Sequence, residues 1–473
     1  MEVKGKRVLV VGLGKSGVAS ALFLASRGAL VTVSDAKRED QLRGEIPALL
    51  DRGITVETGK HGERTFSNQD LIVVSPGVPS GLPALQHART LGIPIIGEIE
   101  LTACFLEGKI IAITGSNGKT TTTTLTGEII ASGGRKTLVG GNIGTPAITF
   151  VDQSSPDTWV VLEISSFQLE TIESFHPHIA AVLNLTPDHL DRHGSMEAYI
   201  AAKARIFENQ KAGDYAVLNF DHEATRQLAE GIKPELNPAL LWFSRKHEVE
   251  RGAFVKEGVI VVRGVASPGV APPNQEAVEI MPLSEIALKG AHNVENVLAA
   301  VAIGMAAGVE PAAIRRAVKD FRAVEHRLEY VATLRGVQYY NDSKATNVDA
   351  TIKALESFPS NVHLILGGRD KDNDYSGLKP RLAARVKQVY TIGEAAAKIE
   401  SQIGGAAPVR SVQTLEAAVR QAAELAASGD IVLLAPACAS YDQFSSYEHR
   451  GRVFKELVQS LAGTAPALHG GGK

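Results

Sequence analysis

The run KIIAITGSNGKTTTTT (Lys109–Thr124) constrains the fold of this chain more than any other stretch. A continuous apolar segment predicts a buried strand, and the glycine-rich turn with threonines after it predicts the start of a helix. Strand, turn and helix in direct succession belong to a mostly parallel sheet covered by helices. The turn also has the make-up of a phosphate loop. Backbone N–H groups and the Lys119 ammonium suit a polyphosphate, and the Thr120 hydroxyl suits Mg²⁺. The general phosphate-loop pattern wants a glycine five residues before Gly118, where Ile113 stands. The shorter TGSNGKT form points to a subset of ATP-binding enzymes, with Gly115, Ser116, Asn117, Gly118, Lys119, Thr120 and Thr121 as the expected ATP loop. A glycine-rich turn with an incidental lysine is the bland alternative.

The alternation recurs along 473 residues, too many for one hydrophobic core. RVLVVG, LVTVSD, LIVVSPG and IPIIG read as strands of a doubly wound parallel sheet, with SGVASALFLASRG a helix after the first. KIIAITG, WVVLEIS and IAAVLNL open a second segment. A Val- and turn-rich stretch from Leu241 to about Glu285 predicts short β-structure, and Asn293–Ala307 predicts a helix. After a break near His326, VQYYND, VHLILGG, VKQVYTIG and DIVLLAP form a third series of strands, with LEAAVRQAAELAASG a helix among them. The expected fold class is α/β in three domains: Rossmann-like over 1–98, P-loop ATPase-like with a mostly parallel sheet over 99–324, and Rossmann-like over 325–473. The tail from Gly463 on reads as a frayed terminus. A net charge of −3 gives no general attraction to nucleic acid or anionic membrane. No apolar run approaches spanning length, no leader pattern precedes the strand at Arg7, and two distant cysteines, Cys104 and Cys438, suit a reducing cytoplasm.

Several loops carry candidate chemistry. Gly12-Leu13-Gly14-Lys15-Ser16-Gly17 follows a strand and opens a helix, where glycine lets the backbone approach a phosphate. Asp35 ends the next strand, a place where an acidic side chain often binds a ribose. NAD, another nucleotide diphosphate and a plain tight turn all fit that motif. Glu163, in VLEISSFQLE, is a strand-end carboxylate suited to Mg²⁺ beside the phosphate loop; a solvated residue or helix cap is the alternative. NLTPDHLDRHG gathers Asp188, His189, Asp191, Arg192 and His193. That cluster reads either as a second metal or substrate site or as a polar loop capping the helix near Ser195. Lys203 by itself reads as a solvated helix lysine. NDSKATN (Asn341–Asn347) and APACAS (Ala435–Ser440) each follow a strand at its carboxyl end, where open α/β sheets place ligands. Cys438 reads as a small buried residue rather than a nucleophile, with no histidine partner suggested nearby.

Taken in order, GSNGKTTT, GGNIGTP, LEISSFQLE, DHLDRHG, NDSKATN and LAPACASYDQF make the chain closely resemble the Mur ligases over essentially its whole length. The last two motifs match the D-glutamate-adding branch of that family. A folylpolyglutamate synthase typically carries Gly-Ser where Thr120-Thr121 stands, and the diaminopimelate-adding branch carries an Asn-Pro-Arg signature absent here. The resemblance implies an ATP-dependent amide-bond-forming ligase of peptidoglycan precursor synthesis. ATP phosphorylates the L-alanyl carboxylate of UDP-N-acetylmuramoyl-L-alanine, and the D-glutamate amine attacks the acyl phosphate. The implied enzyme is cytoplasmic and monomeric, uses ATP and two Mg²⁺ ions, and has no nucleic-acid partner or membrane insertion. Another amino-acid-adding Mur ligase or a folylpolyglutamate-type ligase is the near alternative. An NAD-linked dehydrogenase and a non-catalytic nucleotide-binding protein are the distant ones.

Residue by residue, the resemblance implies that Gly14, Lys15, Ser16, Asp35, Lys37, Ser75 and Gly77 bind the UDP-sugar in the first domain. The family often has arginine where Lys37 stands, so the phosphate contact here becomes a point charge rather than a fork. Asn142 and His189 match substrate contacts, Lys119 the γ-phosphate lysine, and Thr120 and Glu163 the first Mg²⁺ site. His189 also matches a ligand of the second Mg²⁺. Asn293 and Asn296 match the adenine pair, Arg327 and Asp342 the ATP phosphate and ribose contacts. Lys344, Thr346, Lys371, Ser440 and Tyr447 fall where D-glutamate is held, with Tyr447 in place of a common phenylalanine. Lys119, His189, Lys203 and Lys344 are the implied catalytic set. Lys203 matches a carbamylated lysine that ligates metal. An ammonium about 4 Å from a divalent cation, at an effective dielectric of about 20, is repelled by roughly 8 kcal/mol, on the order of six pKa units. Such a lysine is driven neutral, and a neutral amine adds CO₂ to give an oxygen ligand that suits Mg²⁺.

Overall fold

The fold is that of a computed structural model, which describes residues 1–232, 238–265, 277–288, 290–322 and 324–463. The tail beyond Gly463 and the part of the Val-rich stretch at 266–276 lie outside the described residues. Three sheets carry the described chain. The first holds β1 (Arg7–Val11), β2 (Leu30–Asp35), β3 (Thr55–Thr58), β4 (Leu71–Val74) and β5 (Ile95–Gly97), in the order β3-β2-β1-β4-β5. All its pairings are parallel. This is the order of a dinucleotide-binding sheet, reversing direction at β1 and β4. β4 is buried throughout and β1 is buried from Val8 on, as expected of parallel strands covered on both faces.

The second sheet holds β6 (Lys109–Thr114), β7 (Thr137–Gly141), β8 (Trp159–Glu163), β9 (Ile179–Val182), β10 (Tyr215–Asn219), β11 (Ala239–Ser244), β12 (Gly252–Lys256), β13 (Val259–Arg263) and β14 (Val278–Pro282). Its order is β14-β13-β12-β11-β10-β9-β6-β8-β7. Pairing is parallel from β7 to β12 and antiparallel beyond. The Val-rich stretch therefore does form short strands, as its composition predicts. Register sets Ile113 against Glu163 and Thr114 against Val182. The loop after β6 and the carboxylate ending β8 thus leave the sheet at one edge.

The third sheet holds β15 (Glu329–Leu334), β16 (Val337–Asn341), β17 (Val362–Gly367), β18 (Val386–Ile392), β19 (Val409–Gln413) and β20 (Ile431–Leu434), in the order β15-β16-β20-β17-β18-β19. Only β15 runs antiparallel. Because β20 lies between β16 and β17, the loops after these three strands emerge side by side. Apolar clusters pack on the sheet, one around Leu364, Leu366 and Leu433, another around Ile365, Val432, Leu434 and Phe454.

The chain forms two compact units. Met1–Leu185, Glu197–Glu285 and Asn296–Lys319 make the first, with two sheets; Thr186–Met196, Ile286–Glu295 and Asp320–Lys473 make the second, with the third sheet. Among the described residues no helix is long and apolar enough to cross a membrane.

Candidate active site

In the first unit, the loop after β6 is shaped by glycine. Gly118 has φ 84°, and a Cβ there would come 2.2 Å from Asn296 Oδ1, so no other residue fits without displacing Asn296. The helix Lys119–Ser132 starts immediately after it. Lys119 Nζ donates to the carbonyls of Gly115 and Ser116, both at 2.8 Å. Asn117 and Asn184 exchange bonds, Asn117 N–H to Asn184 Oδ1 at 2.8 Å and Asn184 Nδ2 to Asn117 O at 3.0 Å. Thr120 Oγ1 donates to Glu163 Oε2 at 2.7 Å, and Asn142 Nδ2 donates to Glu163 Oε1 at 3.0 Å. Thr121 is buried on the helix beside them, and Asn296 Oδ1 accepts from Thr122 Oγ1 at 3.4 Å.

Lys203 is 1% exposed, so the solvated reading of its helix position is wrong. Its ammonium donates to Thr114 Oγ1 and Gly115 O, both at 3.1 Å, and lies 4.8 Å from the Tyr199 ring centre. Tyr199 precedes Lys203 by one helical turn, and the Tyr199 hydroxyl is 2.9 Å from Ser116 Oγ. One face of the helix Met196–Ala204 therefore presents both side chains to the phosphate loop. Tyr199 and Asn184 went unnoticed in the sequence, where each looks like an ordinary helix or loop residue. The Thr120 hydroxyl and the Glu163 carboxylate are hard-oxygen donors that fit Mg²⁺, and the Lys119 ammonium beside them fits a polyphosphate.

The other glycine loop of this unit is built differently. A Cβ at Gly17 would meet Gly12 O at 1.8 Å, which lets the helix Lys15–Ser26 close on the turn. Asp35 accepts from Leu13 N–H at 2.7 Å and Lys37 N–H at 2.8 Å, and Ser75 Oγ donates to Gly12 O at 2.8 Å. Gly14, Lys15, Lys37 and Gly77 are exposed around this frame, and Ser16 is half-buried. The structure brings these residues to one edge of the first sheet.

In the second unit, the three side-by-side loops collect the remaining residues. Ala437 N–H donates to Ala345 O at 2.9 Å, and Arg369 and Ala439 pair as a β-bridge. Lys344, Thr346, Lys371 and Ser440 ride on these loops. Lys344 Nζ lies 5.2 Å from the Tyr447 ring centre, and Lys371 Nζ is 4.0 Å from Asp188 Oδ1. Asp188 precedes His189, which has a left-handed backbone with φ 55°. Cys438 is buried, its thiol pushed up to about 12 by burial and 2.9 Å from the Tyr375 hydroxyl. It is a packing residue, as its sequence context suggests.

Asn293 and Arg327 line one cavity of about 390 Å³ with Arg322, Tyr330 and Tyr340. Asp342 lies fully buried near it, accepts from Leu328 N–H at 3.2 Å, and is pushed up to about 6 by burial, against the pull of Arg327. His292, beside Asn293, is pulled down to about 3 by burial and by Arg327, and so is neutral at physiological pH.

Fold and loop together define the class: a three-sheet α/β protein with a glycine-rich strand–loop–helix turn on its second sheet. Family models match most of its length: the Mur ligase MurD-like N-terminal domain over 6–97, the Mur ligase middle domain over 113–304, and the Mur ligase glutamate ligase domain over 326–438. The chain belongs to the Mur ligase family, whose members use ATP and Mg²⁺. A UDP-N-acetylmuramoylalanine–D-glutamate ligase of Koribacter versatilis is 64% identical over 98% of this chain and 99% of its own. The enzyme of the same name from Acidobacterium capsulatum is 58% identical, covering 98% of each chain. Among solved structures, a pseudomurein peptide ligase type C from Methanothermus fervidus shares the fold at TM-score 0.60 and 17% identity, over 97% of this chain and 100% of that one. UDP-N-acetylmuramate-alanine ligase from Thermotoga maritima does so at TM-score 0.57 and 20% identity, over 96% and 100%.

Proposed function

We propose that the chain is an ATP-dependent ligase that adds D-glutamate to UDP-N-acetylmuramoyl-L-alanine in peptidoglycan precursor synthesis. The observation that carries this reading is the 64% identity, over nearly the full length of both chains, to a relative bearing that activity in its name. The reaction meets a chemical obstacle, since a carboxylate is a poor electrophile. Phosphorylation by ATP converts the L-alanyl carboxylate into an acyl phosphate with a good leaving group. The D-glutamate amine, unprotonated and aligned, attacks it and expels phosphate.

The residue roles follow the donor sets. Lys119, released from Gly115 O and Ser116 O, neutralises charge on the transferring phosphoryl group. Thr120 and Glu163 hold the first Mg²⁺; His189 and a carbamylated Lys203 hold a second. When bound, the metal supplies charge neutralisation at the phosphate oxygens. Asn293, Asn296, Arg327 and Asp342 hold the adenine nucleotide with the phosphate loop. Gly14, Lys15, Ser16, Asp35, Lys37, Ser75, Gly77 and Asn142 hold the UDP-sugar. Lys344, Thr346, Lys371, Ser440 and Tyr447 hold D-glutamate. The functional division of the chain follows 1–98, 99–324 and 325–473.

Phosphate release from ATP with UDP-N-acetylmuramoyl-L-alanine, with and without D-glutamate and against a panel of other amino acids, tests the reading. Release that needs D-glutamate is expected; release with another amino acid in its place overturns it. The same assay on Lys203→Ala tests the carbamate. Most activity is lost, and short carboxylic acids restore part of it; wild-type turnover in that variant rules the carbamate out.

A further inference from the structure

One buried cation of the second unit has no part in the roles above. Arg450 lies on the helix Tyr447–Gly463 and is 1% exposed. Its hydrogen bonds all end on two loops. Nε donates to Ser343 Oγ at 3.0 Å, Nη2 to Ser343 O at 2.8 Å and Cys438 O at 3.1 Å, and Nη1 to Ala439 O at 3.2 Å. Ser343 Oγ in turn donates to Tyr447 O at 2.8 Å. The backbone of Gly368 closes the arrangement, since a Cβ there would come 3.1 Å from Arg450 Nη1 and 2.3 Å from Ala439 O.

Every hydrogen-bond acceptor is neutral, and the Asp442 carboxylate acts on the guanidinium through its field alone, offsetting part of the cost of burial. Burial pulls the group down to about 10, which leaves it charged at neutral pH. Burying a cation is unfavourable, and an apolar side chain of similar volume would pack the same space without that penalty. One feature justifies arginine here. Its planar fork reaches four acceptors on two separate loops, which lysine cannot do.

We propose that Arg450 is a positioning residue of the amino-acid subsite. It clamps the loop after β16, which carries Lys344 and Thr346, to the loop after β20, which carries Ser440, and so holds the groups of that subsite in register. The proposal rests on D-glutamate being the acceptor. It is tested by steady-state kinetics of Arg450→Lys and Arg450→Met in the full chain, with KM measured separately for D-glutamate, ATP and the nucleotide-sugar. KM for D-glutamate rises about tenfold in Arg450→Lys and further in Arg450→Met, while the other two stay within about threefold. A purely structural arginine would lower the yield of active protein and leave all three KM values in place; that result, or an equal rise in all three, overturns the proposal. Ser343→Ala removes the Nε acceptor and leaves the arginine untouched, so it reads the clamp even where the Arg450 variants do not accumulate. It shows the same split at about threefold, and an unchanged D-glutamate KM overturns the proposal. Wild-type enzyme that releases phosphate without D-glutamate fails the functional reading instead, before any variant is compared.

Discussion

The first unit contains two glycine loops, each opening a helix, and they differ in how their charges are held. Around the loop after β1, the lysines Lys15 and Lys37 are exposed, and the buried carboxylate Asp35 serves the backbone, fixing Leu13 and Lys37 by their N–H groups. Around the loop after β6, the charged groups are turned inward. Lys119 bonds two carbonyls of its own loop, Glu163 bonds Thr120 and Asn142, and Lys203 is sealed beneath. An exposed lysine in water contributes modest attraction, much the same for ground state and transition state. A buried, preorganised charge acts where charge develops during reaction, and water does not screen it. On the proposed reading the first loop serves binding, and the second holds its ligand groups on internal partners that a nucleotide would replace.

The contrast predicts effects of different size and kind. Lys119→Ala is expected to lose activity by about a hundredfold or more, mainly in kcat, the scale of deleting one preorganised donor. A loss below about threefold would erase the distinction between the loops. Lys15→Ala is expected to raise KM for the nucleotide-sugar by about three- to tenfold with kcat nearly unchanged, and the effect should shrink in high salt. A fall in kcat comparable to that of the Lys119 variant would break the comparison.

Much of this arrangement is legible in the sequence, and the rest is not, for physical reasons. β4, β8, β9, β17 and β20 are buried end to end, so their apolar runs announce them. β3, β15 and β19 are edge strands with half-exposed patterns such as that of Val409–Gln413, which carries Arg410 and Gln413 and alternates poorly. β7 ends in Gly140-Gly141, residues with little strand propensity. The phosphate loop is readable because its chemistry is contiguous. Lys203 is not, because the atoms that bury it, Thr114 Oγ1 and Gly115 O, lie some ninety positions earlier in the chain. Arg450 has the same problem twice over, since its acceptors come from two loops and its own helix shows only an ordinary amphipathic pattern.

Buried carboxyl groups of the first unit extend the comparison to stability, where the smallest effect on activity is expected. Glu100 is surrounded by donors: the N–H groups of Glu173, Ser174 and Phe175 and the Ser174 hydroxyl. Glu98, two residues earlier and 1% exposed, accepts from Ile148 N–H at 2.9 Å through one oxygen, and its Oε2 makes no hydrogen bond among the described residues. Burial therefore raises its pKa from 4.5 to about 7, against the pull of the Ile148 N–H. The folded form keeps this proton where the unfolded chain has lost it. Stability from the group is thus full below about pH 4.5, declines as pH rises through about 7, and is flat above. The decline is on the order of 3 kcal/mol. Glu98→Gln keeps the shape and the acceptor for Ile148 but cannot ionise. It should therefore be more stable than wild type in urea at pH 8, with the advantage shrinking towards pH 5, while turnover stays within about twofold. A variant less stable than wild type at pH 8 would mean that Glu98 is ionised there and held by donors.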